Sequence, residues 1–288
     1  MSQPSQNPAP SRKKAVFSAV LLVVLTGVLV LLFKDHWSEI GAALAQLRPW
    51  QAGLVLALGI TYPLLEGVAS WLIIRSRLPG FTLRHGFDNA WMGTFGNVIC
   101  LGAGAVPMQT YYLSRCGLPV GPGVGLMTLQ YVFHKTAVLV WATVLLLAQR
   151  RWFSAHTSGV LRYLPAAYGV VAGVIVGLVL LCCAPAVQRL AHRALGLLPK
   201  TEKWQARRAG WQEQLDNLSE ESRHLLTEKV RCAKIFGVQL FKLFLLYTIP
   251  YLSIRFLQLP CGLGFWQVQL LVALTMFLSN ALPNVAGM

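Results

Sequence analysis

Acidic residues are scarce in this chain: Asp and Glu number 10 among 288 residues, against 25 Lys and Arg. Outside a basic stretch at 185–234 the only acids are Asp35, Glu39, Glu66 and Asp88, too scattered to predict a catalytic pair of carboxylates. The phosphate-binding signature GxxxxGK[ST] is missing, as are HExxH and GxSxG. The sequence gives no signal for an enzyme, and we expect no catalytic residues.

Cysteine pairs are also lacking. None of the six cysteines forms a CxxC motif, and their spacing to the six histidines fits no metal-ligand pattern. Most lie in or beside apolar segments, where a free thiol usually behaves as a small buried hydrophobic group. We therefore expect no disulfide framework, no metal site and no cofactor.

The net charge of +15 is accompanied by no motif for nucleic-acid binding. Most basic residues flank apolar segments, where membrane topology and anionic lipid account for them. We expect no nucleic-acid partner.

Charged residues make up only 12% of the chain and hydrophobic residues 55%, whereas soluble domains carry about 25% charged residues. Five apolar runs approach the roughly 20 residues that cross a bilayer as a helix, and two shorter runs are interrupted. The sequence predicts an all-α, polytopic integral membrane protein with about five full spans and two broken or re-entrant segments. The full runs are Ala15–Phe33, Ala52–Ile74, Val124–Ala148, Tyr163–Ala184 and Ile235–Gln258, and the broken ones are Asp88–Pro107 and Trp266–Pro283.

Four regions follow from these runs. We expect a disordered basic N-terminus at 1–14, a first transmembrane half at 15–184, a cytoplasmic amphipathic helical connector at 185–234, and the start of a second transmembrane half at 235–288. The first run is interpreted as an uncleaved span rather than a signal peptide, because its apolar stretch is longer than a usual signal core.

The distribution of Lys and Arg predicts how the chain crosses the membrane. The connector holds ten, and cytoplasmic loops carry the excess of such residues. If all seven runs crossed, the connector would lie outside. If Asp88–Pro107 instead enters and returns to the same side, seventeen Lys and Arg lie inside and five outside. The re-entrant arrangement, with a cytoplasmic N-terminus, is therefore predicted.

Helix-breaking residues explain the return of that segment. Gly102, Gly104 and Pro107 interrupt it, and Asn97 places a polar amide before the break. Irregular backbone at membrane depth is tolerated only where it is buried in protein or lines a water-filled cavity. The stretch therefore predicts a cavity.

A second interrupted segment closes the chain, with breaks at Pro283 and Gly287 and an amide at Asn280. It is predicted to enter from the opposite face. Paired broken segments of this kind indicate an inverted-repeat transporter site. The alternative is two kinked helices that pack closely through small residues.

Four ionisable residues lie inside the predicted spans, where such groups are costly and often functional. Glu66 and Lys135 are the deeper two, and we expect them to pair, either beside a substrate cavity or as a packing device. Lys242 and Arg255 lie nearer the ends of a span and are expected to reach the interface.

Arg115 is the best candidate for binding a lipid phosphate, because its planar guanidinium grips phosphate oxygens. It follows the first broken segment on the predicted cytoplasmic side. Gln109, Tyr111 and Tyr112 are placed to supply hydrogen bonds. The alternative role for Arg115 is that of an interface anchor.

The connector carries one apolar stripe at helical spacing on an otherwise charged helix. The stripe is predicted to lie either on the inner leaflet or against the protein's own cytoplasmic face. Its members are Trp204, Trp211, Leu215, Leu218, Leu225 and Val230.

The chain resembles the transmembrane region of the lysylphosphatidylglycerol synthase/flippase family in four features. These are a Gly/Pro segment before an arginine, the following span GLPVGPGVGLMTLQYVFHKTAVLV, a long basic connector and a late Pro-x-x-x-Gly. Pro107 and Arg115 match the family pattern. Gln109 stands where the family has a basic residue, and Tyr111 and Tyr112 occupy the region of its Gly-Glu pair. The departures in the next span and in the late motif are Gln130, Tyr131, His134, Asn284 and Ala286.

The resemblance implies a protein of the bacterial inner membrane that binds or translocates a phospholipid or a lipid-linked anionic head group between the two broken segments. The family's aminoacyl-transfer domain is not represented, so synthesis of aminoacyl lipid is not expected. The sequence stops inside the late motif, and we expect further spans after it. The alternative is a non-transporting scaffold or regulatory subunit of a lipid-modifying enzyme.

Overall fold

The structure, a computed structural model, describes residues 37–100, 104–156, 164–196 and 202–279, with single positions between 20 and 34. Throughout these residues the regular structure is helical, so the predicted all-α class is confirmed. The helices are α1 Trp37–Ala45, α2 Pro49–Ile74, α3 Leu83–Ile99, α4 Ala105–Arg115, α5 Val120–Ala148, α6 Arg150–His156, α7 Leu164–Cys183, α8 Pro185–Gly196, α9 Glu202–Thr227, α10 Lys229–Phe256 and α11 Phe265–Ser279.

Four of these helices, α2, α5, α7 and α10, are long and apolar enough to cross a membrane, and α11 is a shorter apolar helix. They correspond to four of the five predicted full spans. The remaining run, Ala15–Phe33, lies mostly outside the described residues. The chain is therefore a multi-pass membrane protein.

Helices α3 and α4 form an antiparallel hairpin. The hydroxyl of Tyr112 on α4 donates to Asp88 Oδ2 on α3 at 3.2 Å, and Gly93 on α3 faces Gln109 on α4. At 1.5 Å per residue, the 11 residues of α4 extend about 16 Å, roughly half of a 30 Å hydrocarbon core. The chain reverses between Ile99 and Ala105, as the glycines predicted, and α4 is too short to cross.

Helices α2 and α10 run antiparallel. At one end, Trp50 on α2 packs edge-on against Phe256 on α10, with ring centroids 5.4 Å apart. Further along both helices, Lys242 on α10 lies over the ring of Tyr62 on α2. Just beyond the other end of α2, Arg77 reaches the connector helix α9.

The connector packs against the chain's own spans. On α5, a Cβ added to Gly125 would lie 3.0 Å from the backbone oxygen of Asn217 on α9, so this glycine admits α9 at close range. Leu215, Leu218 and Leu225 of the predicted stripe are buried, whereas Trp211 and Val230 are exposed; the side chain of Trp204 lies outside the described part. Of the two placements considered for the stripe, the structure shows contact with the protein itself.

Two apolar clusters form the core of the bundle. The first, at the connector end, includes Ile73, Leu126 and Ile235. The second includes Leu243 and Phe277. Within each cluster, side chains of neighbouring spans pack together, and in a bilayer such van der Waals contacts favour helix association.

Candidate functional site

The tip of the α3–α4 hairpin is held by Asn97, which was predicted to line a substrate path. Its side-chain oxygen accepts a hydrogen bond from the backbone N–H of Ala105 at 3.0 Å. This bond satisfies one of the donors that the first turn of a helix leaves free. Asn97 therefore fastens the start of α4 to the end of α3.

The predicted helix breakers act at the start of α4. Gly104 is the residue that precedes the helix, and Pro107 lies in its first turn. A proline is tolerated there because the N–H that it lacks has no partner inside the helix. Pro107 therefore begins α4 and does not interrupt it. Gly102, Asn280, Pro283 and Gly287 lie outside the described residues.

Arg115 lies in the last turn of α4 and is exposed. In the described part of the chain it has no hydrogen bond or ion pair. Tyr111, one turn earlier, is 57% exposed, whereas Gln109 is 7% exposed. The predicted head-group residues thus divide into an outward pair, Arg115 and Tyr111, and an inward Gln109.

A polar layer, which the sequence did not indicate as one site, begins where the two apolar clusters meet on α10 and continues beside the first cluster on α2 and α5. On α10, Gln239 and Lys242 lie between Ile235 and Leu243, which belong to different clusters. The buried members of this polar layer are Ser70 on α2, Asn89 on α3, Gln130 on α5, and Gln239 and Lys242 on α10, and its half-buried members are Glu66 on α2 and His134 on α5.

The cation that contacts Glu66 is Lys242, a correction to the expected pairing with Lys135. Lys242 is 1% exposed, so it does not extend to the interface as expected. The ammonium of Lys135 lies 4.9 Å from the centroid of the Tyr131 ring. Both corrections arise from the antiparallel packing of α2 on α10, which brings position 242 level with position 66.

A chain of hydrogen bonds leads from this ion pair to the hairpin. Gln130 Nε2 donates to Glu66 Oε1 at 2.6 Å, and Ser70 Oγ donates to Gln130 Oε1 at 3.0 Å. Asn89 Nδ2 then donates to Ser70 Oγ at 2.7 Å. Three helices, α2, α5 and α3, are joined by polar contacts inside an apolar bundle.

Several buried atoms of the layer have no hydrogen-bond partner among the described residues: Gln239 Nε2 and Oε1, His134 Nδ1 and Asn89 Oδ1. Such atoms cost about 1–3 kcal/mol each in a protein interior. Buried polar atoms without protein partners mark positions where water, an ion or a polar group of a ligand can bind, so the layer is a candidate functional site.

Lys242 and Gln239 escaped the sequence analysis as site residues. The signal available was their spacing of three residues, which places both on one face of a helix in an apolar run. Ser70 and Asn89 gave no such signal, because a single small polar residue in a span is common.

Two cavities among the described residues border the connector. One, of about 560 Å³, lies between α5, α7, α8 and α9 and is mainly apolar. The other, of about 520 Å³, lies between α8 and α9 and is lined by polar side chains. The predicted chamber between the two broken segments involves residues beyond 279, outside the described part. No group of three His, Cys, Asp or Glu suited to a metal occurs within the described ranges.

Residues 16–288 match the family model described as the lysylphosphatidylglycerol synthase TM region. The chain belongs to this family. Neither the curated proteins nor the solved structures include a significant match. Membership confirms the resemblance stated above and makes the chain a membrane domain of a family associated with lipid handling.

Proposed function

We propose that the chain binds and translocates a phospholipid or a lipid-linked anionic head group, with Arg115 holding the phosphate. The observation that carries this proposal is an exposed guanidinium, without a partner among the described residues, at the end of a helix too short to cross the membrane. Family membership supports a role in lipid handling.

The chemistry of arginine suits this role. Its guanidinium offers five donors in a rigid fork and stays charged at all physiological pH values. Tyr111, exposed one turn away, adds a hydroxyl. Gln109 on the inner side of the same helix extends the polar path toward α3. The side-chain NH₂ of Asn97, which has no hydrogen bond among the described residues, does the same.

The other predicted site residues are also assigned roles in lipid binding or movement. Glu66 and Lys135 would balance charge within the bundle, and Asn280 would line the path from the second broken segment. Without a nucleotide-binding motif, lipid movement would be facilitated or coupled to an ion. The protein would lie in the bacterial inner membrane with a cytoplasmic N-terminus.

Reconstitution in liposomes tests the proposal. The rate at which a fluorescent phospholipid changes leaflet would be compared for the wild type, Arg115→Ala and Arg115→Lys. Losing charge-assisted hydrogen bonds of about 1.5–3 kcal/mol predicts at least a tenfold slower rate for Arg115→Ala, with partial recovery in Arg115→Lys.

Arg84→Ala is the matched control, because Arg84 is also exposed and begins the other leg of the same hairpin. Its rate should equal that of the wild type. Equal rates for Arg115→Ala and the wild type would remove Arg115 from the site. No lipid movement by the wild type would remove the activity and favour the scaffold alternative.

A further inference from the structure

We propose that Glu66 is a proton-binding site, and that its charge state is transmitted to the α3–α4 hairpin through Gln130, Ser70 and Asn89. This inference deepens the proposed function and rests on it, because it identifies the proton as the ion coupled to lipid movement. The site is the Glu66–Lys242 pair in the buried polar layer.

The two partners differ in accessibility. The side chain of Glu66 keeps 21% of its surface accessible, whereas that of Lys242 keeps 1%. The carboxylate is therefore the more open member of the pair, and the ammonium is enclosed. An isolated charge is costly inside a membrane-spanning bundle, so each member depends on the other in the paired state.

The direction of the hydrogen-bond chain is set by the charge on Glu66. An ionised carboxylate only accepts hydrogen bonds, so Gln130 presents its NH₂ to Glu66. Its carbonyl oxygen then faces Ser70, and the Ser70 hydroxyl is committed to donating to it. Ser70 is left to accept from the Asn89 amide.

Protonation removes the cause of this direction. The proton adds to a carboxylate oxygen of Glu66, giving a neutral acid that carries an O–H donor, while Lys242 keeps its three protons and its charge. Gln130 is then free to turn its carbonyl toward Glu66 and its NH₂ toward Ser70. Ser70 no longer needs to donate to Gln130, so its contact with Asn89 on the hairpin changes.

The layer already contains another acceptor for Lys242. Gln239 lies three residues earlier on α10, on the same face. Its buried Oε1 makes no hydrogen bond of normal geometry among the described residues, although His134 on α5 also lies within reach of this amide. The ring of Tyr62, 4.8 Å from the ammonium, also stabilises the cation. Proton uptake by Glu66 and transfer of Lys242 toward Gln239 are therefore expected as one event.

Other ionisable groups surround the pair and take part in its charge balance. From α5, His134 lies close to Glu66, Lys242 and Lys135. From α10, Tyr247 lies near Tyr62 of α2. Helix α11 contains no ionisable residue, and the hairpin contributes the neutral amide of Asn89. Within this set Glu66 is the one carboxylate.

The consequence lies at the hairpin. Asn89 is on α3, and Arg115 ends α4, the other leg of the same hairpin. A change of hydrogen bonding at Asn89 alters how α3 is held against α2. The proton site would thus be linked to the lipid site through one rigid pair of helices.

Infrared titration of the full chain in lipid nanodiscs detects the proton directly. Acidification should produce a carboxylic acid C=O band in the wild type. One component of it should be lost in Glu66→Gln/Lys242→Gln, a double variant that leaves no unpaired buried charge. Glu221→Gln is the matched control: Glu221 is another buried, ion-paired carboxylate, in the connector, and this variant should retain the component.

Lipid movement in liposomes with an imposed pH gradient tests the coupling. The wild-type rate should depend on the gradient, and this dependence should be lost in the double variant and in Ser70→Ala. Ser70→Ala should retain the infrared component, because it breaks the chain without touching the pair. An unchanged infrared band in the double variant, or equal gradient dependence in wild type and Ser70→Ala, would overturn the inference. A wild type that moves no lipid would overturn the proposed function, whereas the infrared result would still decide whether Glu66 binds a proton.

Discussion

Gly96 and Gly104 lie against each other across the α3–α4 hairpin, so closely that a Cβ added to either would overlap the other's carbonyl group. The two legs can approach this way only because both positions lack a side chain. The glycines therefore set the distance between the helices in addition to permitting the turn.

Gly96→Ala should destabilise the protein by about 1–3 kcal/mol, the usual cost of overpacking. The added methyl group would also press on Met108, at 2.7 Å from its Cγ. Thermal unfolding in detergent measures the effect. Gly173→Ala is the control, since nothing lies within 4 Å of its Cβ position on α7. It should be neutral or stabilising by up to about 1 kcal/mol, and equal losses in both variants would contradict the close contact.

Both ends of the hairpin should be accessible from the same side of the membrane. Arg84 and Pro119 are both exposed. In a background without the six native cysteines, each would be replaced in turn by cysteine and treated with a membrane-impermeant thiol reagent. We expect labelling of both in inside-out vesicles and of neither in intact spheroplasts. Labelling of the two positions from opposite sides would exclude the re-entrant arrangement.

Glu66→Gln alone should destabilise the protein more than Glu66→Gln combined with Lys242→Met. The single change leaves the Lys242 ammonium, 1% exposed, without its anion, and breaking a buried pair in this way costs about 3–5 kcal/mol. The double change removes both charges. Unfolding free energies in detergent for the wild type, both single variants and the double variant give the coupling free energy between Glu66 and Lys242. Additive losses would show that the pair contributes nothing specific.

Arg77→Ala should loosen the connector. Arg77 Nε donates to Glu221 Oε2 at 2.9 Å, and the Glu221 side chain is 3% exposed, so the substitution leaves a buried carboxylate unpaired at a cost of about 1–3 kcal/mol. Limited proteolysis of α9 would report the loosening. Arg84 is an exposed arginine at this end of the bundle, and Arg84→Ala should leave the cleavage rate unchanged.

The contribution of this pair should not vary with pH in the neutral range. The hydrogen bond from Arg77 to Glu221 raises the pKa of the guanidinium above its ordinary value. A raised pKa in the folded state gives a stabilisation that is complete below the unfolded pKa of arginine and is lost only at higher pH. The difference in proteolysis between wild type and Arg77→Ala should therefore be the same at pH values on either side of neutrality.

Part of the site followed from local chemistry. The turn between α3 and α4 was predictable because glycine frees the backbone around it, whatever packs nearby, whereas Pro107, also predicted as a break, lies inside the first turn of α4. The burial of Leu215, Leu218 and Leu225 followed from helical spacing for the same reason. The sequence did not show whether that stripe packs against the membrane or against the protein, because an apolar helix face fits either surface.

The partner of Glu66 was beyond sequence reasoning. Lys242 is 176 positions away, and its contact depends on the antiparallel packing of α2 on α10. The role of Asn97 was missed for a similar reason. Its bond to Ala105 forms only after the chain has turned, so a residue expected to face substrate fastens the hairpin tip.

The sequence by itself determined the membrane class, the four described spans, the family and the reversal of the hairpin. These depend on the hydrophobicity and backbone preferences of consecutive residues, which are present before any packing occurs. Only the tertiary structure decided which ionisable groups meet, how the connector is held and that a polar chain joins Glu66 to the hairpin. These contacts join residues far apart in the chain, and their geometry is fixed when whole helices pack together.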